Sequence, residues 1–379
     1  MLKILHTADV HLGIKFPGLG NKGDVQRRQI EETFKKIISL AIAEKVNILL
    51  IAGDLFDSNQ QTQKIIDLVI YQFNLLGKNN IPVCLIPGNH DCLDATSIYR
   101  KINFANQCPN LTIFTDSKMG YHHYPEMNLT VYGKPNLSEK STVSPLQGLK
   151  RITDSQYHVA LAHGSFFIPE KVAADDHIFT GAEIAESGMN YIALGHWHNA
   201  GKYTSGTVSA YYSGAPEWLD FKQDGPGKII QVNITDNCTV EVQERVVGLR
   251  HSDLLEINMG EIANWQDLEN KITYGADVNL ARTVNLKGLR SDSLTFNPDS
   301  IDELQDSLGT AFFNLRIEDN SAIPVADIAP DAYAGKPIIA RFIELTKNRI
   351  AEASDNEEKK IAEDALQYGI ALLEDRVKL

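Results

Sequence analysis

Short apolar runs that end in glycine and a polar, ligand-type residue recur through the N-terminal part of the chain. Leu2 to Thr7 reads as a strand and runs into Ala8-Asp9-Val10-His11-Leu12-Gly13. Ile48-Leu49-Leu50-Ile51 has the uninterrupted apolar character of a strand buried on both faces, and it ends in Gly53-Asp54-Leu55-Phe56-Asp57. Ile81 to Ile86 breaks at Pro87-Gly88-Asn89-His90-Asp91, Tyr157 to Ala162 ends in His163-Gly164, and Tyr191 to Leu194 ends in Gly195-His196-Trp197-His198. Between the first three strands the apolar period becomes helical. Ile30, Phe34, Ile37, Ile38, Ala41 and Ile42 mark a helix over Asp24 to Lys45, and Ile65, Leu68, Val69, Phe73 and Leu76 mark one over Gln61 to Lys78. A strand-helix-strand-helix-strand series predicts a parallel sheet with chemistry at the strand exits.

Downstream the pattern shortens. Strands are predicted at Leu111 to Thr115 and Leu129 to Gly133, with His122 and His123 in a surface loop between them. A short helix is predicted over Ile178 to Glu186, with His177 in a polar loop before it. Strands at Val208 to Ser213, Lys228 to Ile234 and Thr239 to Val247 are expected to close a second sheet. Near Gly248 to His251 the character changes to short strands and charged turns, a small α/β domain over residues 251–324. Ile323 to Pro337 reads as a linker, and Ile338 to Thr346 and Glu358 to Leu373 as charged amphipathic helices.

Charge and cysteine usage narrow the function classes. The formal net charge of −13 over 379 residues disfavours a protein that coats nucleic acid by bulk electrostatics, though not an enzyme that holds it locally. Cys84, Cys92, Cys108 and Cys238 lack the paired spacing of a zinc knuckle or disulfide framework. No apolar stretch is long enough to span a bilayer, and the N-terminus enters a strand without a signal-peptide pattern, so a cytoplasmic location is expected.

The strand exits together offer Asp9, His11, Asp54, Asn89, His163, His196 and His198. Asp9 and His11 are two apart, which on an extended backbone points both side chains one way. Nitrogen and oxygen donors without cysteine suit two divalent ions such as Mn²⁺ or Fe²⁺. Asp54, with no basic residue near it in sequence, is placed to bridge them. Two ions sharing a carboxylate about 3.5–4 Å apart form the usual centre for phosphoester hydrolysis, and His90 is a candidate general acid.

The series Asp9-Val10-His11, Gly53 to Asp57, Gly88 to Asp91, His163 and Gly195 to His198 resembles the calcineurin-like metallophosphoesterases in order and spacing. Leu5 to Gly13, with Tyr212-Ser213-Gly214-Ala215-Pro216-Glu217, is further similar to the SbcD-type nuclease subunits of double-strand-break repair complexes. The resemblance covers residues 1 to about 250 and is loose beyond. It implies a two-sheet sandwich flanked by helices over residues 1–250, a capping domain at 251–324, and a C-terminal helical tail at 325–379. It implies one ion on Asp9, His11, Asp54 and His198, and another on Asp54, Asn89, His163 and His196. His90 is then catalytic and Asp57 orients it. The same resemblance implies Mn²⁺, a DNA substrate cut as duplex ends and single strands, a homodimer, and an SbcC-type coiled-coil ATPase docked on the C-terminal helices. Two other readings compete: a phosphoesterase for small esters or cyclic nucleotides, and a DNA-end binder with little turnover.

Overall fold

The computed structural model describes residues 1–290, Leu294, 299–321, Tyr333 and 335–374. It divides into two compact units, Met1–His251 and Ser252–Leu379. The segment expected as a linker falls largely on 322–332 and 334, outside the described residues.

In the first unit the chain runs β1 (Leu2–Thr7), α1 (Lys22–Ala43), β2 (Ile48–Ala52), α2 (Gln63–Lys78) and β3 (Val83–Ile86). Two single-turn helices follow, α3 (Ile98–Lys101) and α4 (Phe104–Gln107), then β4 (Leu111–Ile113), β5 (Gly120–Tyr124), β6 (Leu129–Gly133) and β7 (Tyr157–His163). The unit continues with α5 (Gly181–Ser187), β8 (Tyr191–Gly195), β9 (Gly201–Lys202), β10 (Ser209–Tyr212), β11 (Gly225–Ile234) and β12 (Val240–Asn258). β12 continues past the unit's last residue. One sheet has the order β12-β11-β1-β2-β3-β4, and the other β5-β6-β7-β8-β10-β9. β1 to β4 are parallel, as are β6, β7, β8 and β10.

The two sheets form a sandwich. Ile4, Ile48, Leu50 and Ile86 pack against Val131, Val159, Leu161 and Ala193. The alternate residues Leu5, Leu49, Ile51 and Leu85 face the other way, onto Ile30, Phe34, Val69 and Phe73 of α1 and α2. On the second sheet's outer face, Tyr132, Ala160 and Ile192 pack with Ile184 of α5 and with Phe179. Each central strand is covered on both faces, which is why β2 reads as a continuous apolar run with every residue buried. α5 opens with a full capping box: Thr180 accepts from the Glu183 N–H while the Glu183 carboxylate accepts from the Thr180 N–H.

Three expectations are corrected. β11 and β12 do not join the second sheet. β11 pairs antiparallel with β1, Leu2 opposite Ile234, so its inward residues Ile230, Val232 and Ile234 extend the first sheet's face. β12 does not stop at Val247 but runs on through Asn258, so Gly248 to His251 lies within a strand. His122 and His123 lie in β5, held in register against Val131 and Thr130, not in a loop.

The second unit contains α6 (Trp265–Thr273), β13 (Leu280–Lys287), α7 (Ser300–Leu308), β14 (Asn314–Asp319), α8 (Pro337–Glu352) and α9 (Asn356–Leu373). β13 and β14 pair in parallel, and Leu268, Ile272, Val284, Leu304 and Leu315 form its α/β core. Ile339 and Ile343 of α8 meet Leu366 and Ile370 of α9 in a separate cluster. Among the described residues no helix is long and apolar enough to cross a membrane.

Candidate metal centre

The exits of β1 and β2 are tied together beyond the sheet. Asp9 N–H donates to the Gly53 carbonyl at 3.2 Å, His11 N–H to Asp54 at 3.1 Å, and Leu12 N–H to Leu55 at 3.0 Å. Asp9, His11 and Asp54 all take positive φ, at 53°, 50° and 49°, and His196 does so at 107°. The extended geometry expected for Asp9 and His11 is therefore wrong. The strand ends at Thr7, and both residues turn into the left-handed region so that their side chains reach the site. Such conformations cost on the order of 1–3 kcal/mol each and persist only where surrounding structure imposes them. Gly53 (φ 91°) follows from packing as well as conformation: a Cβ there would lie 2.2 Å from His163 Nδ1.

Two groups of ligand atoms close on Asp54. One comprises His11, Asp54 and His90, and the other Asp9, Asp54 and His163. Asp54 Oδ2 is 3.2 Å from His163 Nε2 and 3.7 Å from His11 Nε2. Asp9 lies beside His163, 3.9 Å from its Nδ1, and both its oxygens accept the His196 N–H. Asn89 Oδ1 is 2.7 Å from His163 Nε2 and 3.0 Å from His196 Nδ1.

These partners fit a cation. His163 Nδ1 donates to the Ala52 carbonyl at 2.8 Å, so a neutral ring turns its Nε2 lone pair toward Asp54 and Asn89. His196 Nε2 faces the Asp176 carboxylate at 3.2 Å, so its Nδ1 lone pair turns toward Asn89 as well. With both rings neutral, lone pairs from two imidazoles, an amide oxygen and a carboxylate converge, a donor set that fits a positive charge. His11 Nε2 is buried without a hydrogen-bond partner among the described residues, and it faces the same carboxylate.

The electrostatics agree. Burial pushes His163 toward neutrality, but the Asp54 charge and hydrogen bond outweigh it and raise its pKa to about 9. His11 is likewise raised, against burial, by Asp57, Asp54 and Asp9. Asp54 is held below the usual carboxylate range despite burial, chiefly by His163 and His11, while burial lifts Asp9 above it. The field that holds protons on these rings is the field that would hold metal ions.

His90 sits at the rim, with its side chain 46% exposed. Its N–H donates to Asp54 Oδ1 at 2.9 Å, and its ring packs 4.7 Å from that of His11. Nδ1 lies 3.1 Å from the Asp57 backbone carbonyl but 4.0 Å from the Asp57 carboxylate, which is nearer to His11 Nδ1 at 3.3 Å. Asp57 therefore reaches His90 through its main chain and His11 through its side chain. His198 packs its ring 5.2 Å from His11 and turns Nδ1 toward Asp220 at 3.5 Å. Gly88 has no room for a side chain, since a Cβ there would meet Asp54 Oδ1 at 2.2 Å.

Several residues around the centre were not singled out from sequence. Asp176 backs His196 and accepts from Ser165 Oγ at 2.5 Å, and Ser165 in turn accepts from Trp197 Nε1 at 2.9 Å. Asp220 backs His198. Asp91 is fully buried and accepts from Gly88 N, Phe56 N and Tyr99 OH, pinning the two loops that carry Asp54 and Asn89. Burial and the Asp54 charge raise its pKa to about 6. His177, expected in a featureless loop, is buried and bonds the Ser138 and Glu139 carbonyls. Asp91 stands in a motif already visible, but Asp176 and Asp220 follow no apolar strand and carry no local signal.

The model of the calcineurin-like phosphoesterases matches residues 2–200, more than half of the chain. The metallophosphoesterase YhaO of Bacillus subtilis, itself uncharacterised, is 26% identical over 62% of this chain and 58% of its own length, so the chain spans less than two thirds of that relative. The DNA double-strand break repair protein Mre11 of Saccharolobus solfataricus is 25% identical over 69% of this chain and 72% of its own. Among solved structures, TT1561 of Thermus thermophilus covers 65% of this chain and 99% of its own at 13% identity, with a TM-score of 0.41. The chain belongs to the calcineurin-like phosphoesterase family, metal-dependent hydrolases built around a dimetal centre.

Proposed function

We propose that this chain is a nuclease of the SbcD type that hydrolyses phosphodiester bonds in DNA, on duplex ends and on single strands, with Mn²⁺ as the metal. The observation that carries the reading is Asp54 standing in both ligand groups of a buried carboxylate–imidazole cluster. The likeness to proteins named as Mre11 supports DNA as the substrate. Asp9, His11, Asp54, Asn89, His163, His196 and His198 would hold the two ions. When bound, the ions supply Lewis acidity toward a phosphate and a water made acidic enough to attack near neutral pH. His90, at the rim and anchored through its N–H on Asp54, would contact the scissile phosphate and protonate the leaving oxygen. Asp57 holds the Nδ1 side of that ring through its carbonyl.

The test is a Mn²⁺-dependent assay of the purified chain on end-labelled duplex and circular single-stranded DNA, with bis-p-nitrophenyl phosphate and cyclic nucleotides alongside. Cleavage of DNA, lost in His90→Ala while both metals remain bound, supports the reading. Turnover of small esters with DNA untouched, even with an SbcC-type ATPase added, moves the assignment to a small-molecule phosphodiesterase. Asp54→Ala is expected to lose both ions together.

The reading includes a cytoplasmic homodimer and an SbcC-type ATPase seated on α8 and α9, with residues 251–324 as a cap that shapes DNA access. Exposed Ile338, Leu345 and Ile361 on these helices favour a docking role. Light scattering of the chain alone, and co-purification with the ATPase before and after Ile338→Asp and Ile361→Asp, test these assignments.

A further inference from the structure

The segments that follow His11 and Asp57 in sequence line a cleft of about 750 Å³. Gly13, Lys15 and Phe16 follow His11 on one wall, and Gln60, Gln61 and Thr62 follow Asp57 on the other. Arg27 and Arg28 of α1 line it as well. The walls meet at Gly13, where a Cβ would lie 2.0 Å from Gln61 Oε1. The cleft lining therefore begins two residues after His11 in sequence.

Its charge runs against that of the molecule. Lys15, Arg27, Arg28 and Lys64 line it, opposed by Asp24 and Glu31. Arg27 pairs with Asp24, and Lys64 with Glu31 at 3.1 Å. Lys15 and Arg28 have no hydrogen bond or ion pair among the described residues, and both are exposed. In a chain of net charge −13, two unpaired cations in one groove are a local attractor for an anion. Attraction is felt within a Debye length, about 8 Å at physiological salt, so the anion must enter the groove itself.

We propose that this cleft holds backbone phosphates of a DNA strand flanking the scissile phosphate, with Lys15 and Arg28 as their contacts. The inference rests on the reading of the chain as a DNA nuclease and adds where the strand lies. A dinucleotide-sized ester ends at the metal centre, whereas a strand continues past it and needs neutralising charge along the way. The polar side chains of Gln60 and Gln61 on the facing wall can donate to phosphate or sugar oxygens without reading sequence.

The test is the double variant Lys15→Ala with Arg28→Ala. Binding of a fluorescein-labelled thymidine oligonucleotide is followed by anisotropy in EDTA across a range of salt, and Mn²⁺-dependent cleavage of the same oligonucleotide is compared with hydrolysis of bis-p-nitrophenyl phosphate. Two lost phosphate contacts should make the slope of log affinity against log salt shallower by about 1.4, which, if the affinities converge at 1 M, is a loss of about 25-fold at 0.1 M. The ratio of DNA cleavage to small-ester hydrolysis should fall by a similar factor. A wild type that binds and cuts DNA, with an unchanged slope and ratio in the variant, overturns the cleft while leaving the nuclease standing. Equal losses on DNA and on the small ester overturn it too, because the effect then lies at the centre. A wild type that hydrolyses the small ester but neither binds nor cuts the oligonucleotide removes the nuclease reading and the cleft with it.

Discussion

Asp176 gives the most demanding test of how the centre is built. Its carboxylate faces His196 Nε2 at 3.2 Å and accepts from Ser165 Oγ at 2.5 Å, while the other nitrogen of the same ring points at Asn89 Oδ1 at 3.0 Å. The carboxylate thereby selects which nitrogen carries the proton and which offers a lone pair to a metal. Replacing it with alanine frees the ring to rotate and to choose the wrong tautomer. Outer partners of this kind are worth about 10- to 100-fold in metal affinity, roughly 1.4–2.7 kcal/mol. Asp176 is 34% exposed. Solvent screens part of its charge, so the expected loss for Asp176→Ala is near the lower end, about tenfold. Asp176→Asn can still accept from Nε2–H through its carbonyl and should lose only a few-fold.

The measurement is competition for Mn²⁺ and Co²⁺ against a chelator of known affinity, with the Co²⁺ absorption spectrum as a second readout of ligand geometry. One ion should weaken more than the other, since His196 converges with His163 on Asn89 while His11 packs with His198. Unfolding in EDTA should be nearly unchanged. An alanine variant that binds both ions with wild-type affinity and an unaltered Co²⁺ spectrum would show that the ring is held by packing alone and refute the argument. Loss of both ions with a lowered unfolding midpoint would point to collapse of the loop.

Three further outcomes follow from buried polar groups. Glu217 is 1% exposed and accepts from Thr33 Oγ1, Trp218 N, Leu249 N and Arg250 N, so Glu217→Ala strands several donors and should cost about 3–5 kcal/mol in urea unfolding; a change under about 1 kcal/mol would contradict it. His6 is fully buried against Tyr191 OH, and burial lowers its pKa to about 3, below an unfolded value of 6.5. The unfolded state then binds the extra proton between these values, so stability is lost as pH falls: from pH 7 to 5 the wild type should lose about 2 kcal/mol that His6→Gln does not, and parallel pH profiles would refute this. Gly88→Ala should displace Asp54 Oδ1 and reduce bound metal to well below two ions per chain, measured by elemental analysis.

The parts of the fold that could be read from sequence are those whose neighbours are settled by local pattern. β2 is buried on both faces, and its apolar run says so without reference to anything distant. The membership of β11 could not be read in this way. Its alternation suits a strand with one face inward, but whether that face covers the first sheet or the second depends on a pairing with β1 more than two hundred residues away in sequence. The length of β12 was hidden for a related reason. The strand was expected to end at Val247 because the character of the sequence changes at Gly248 to His251. In the structure Glu217 accepts the Leu249 and Arg250 N–H groups, so the backbone there is satisfied by a side chain from another loop.

The site shows the same division more sharply. Residues that would touch a metal must be carboxylate, amide or imidazole, and must stand where a strand releases the chain, so type and position together make them visible. The conformation that delivers them was not visible: Asp9, His11 and Asp54 reach the centre through left-handed backbone, stabilised by hydrogen bonds between the two loops. The carboxylates behind the histidines carry even less signal. Asp176 and Asp220 need only present an acceptor to a ring nitrogen, a requirement that any acidic residue in any loop could meet. Sequence therefore reveals the groups whose chemistry is constrained by the ligand and conceals those constrained only by the fold. The partners that orient the His163 and His196 rings are of the concealed kind: a main-chain carbonyl and a loop aspartate.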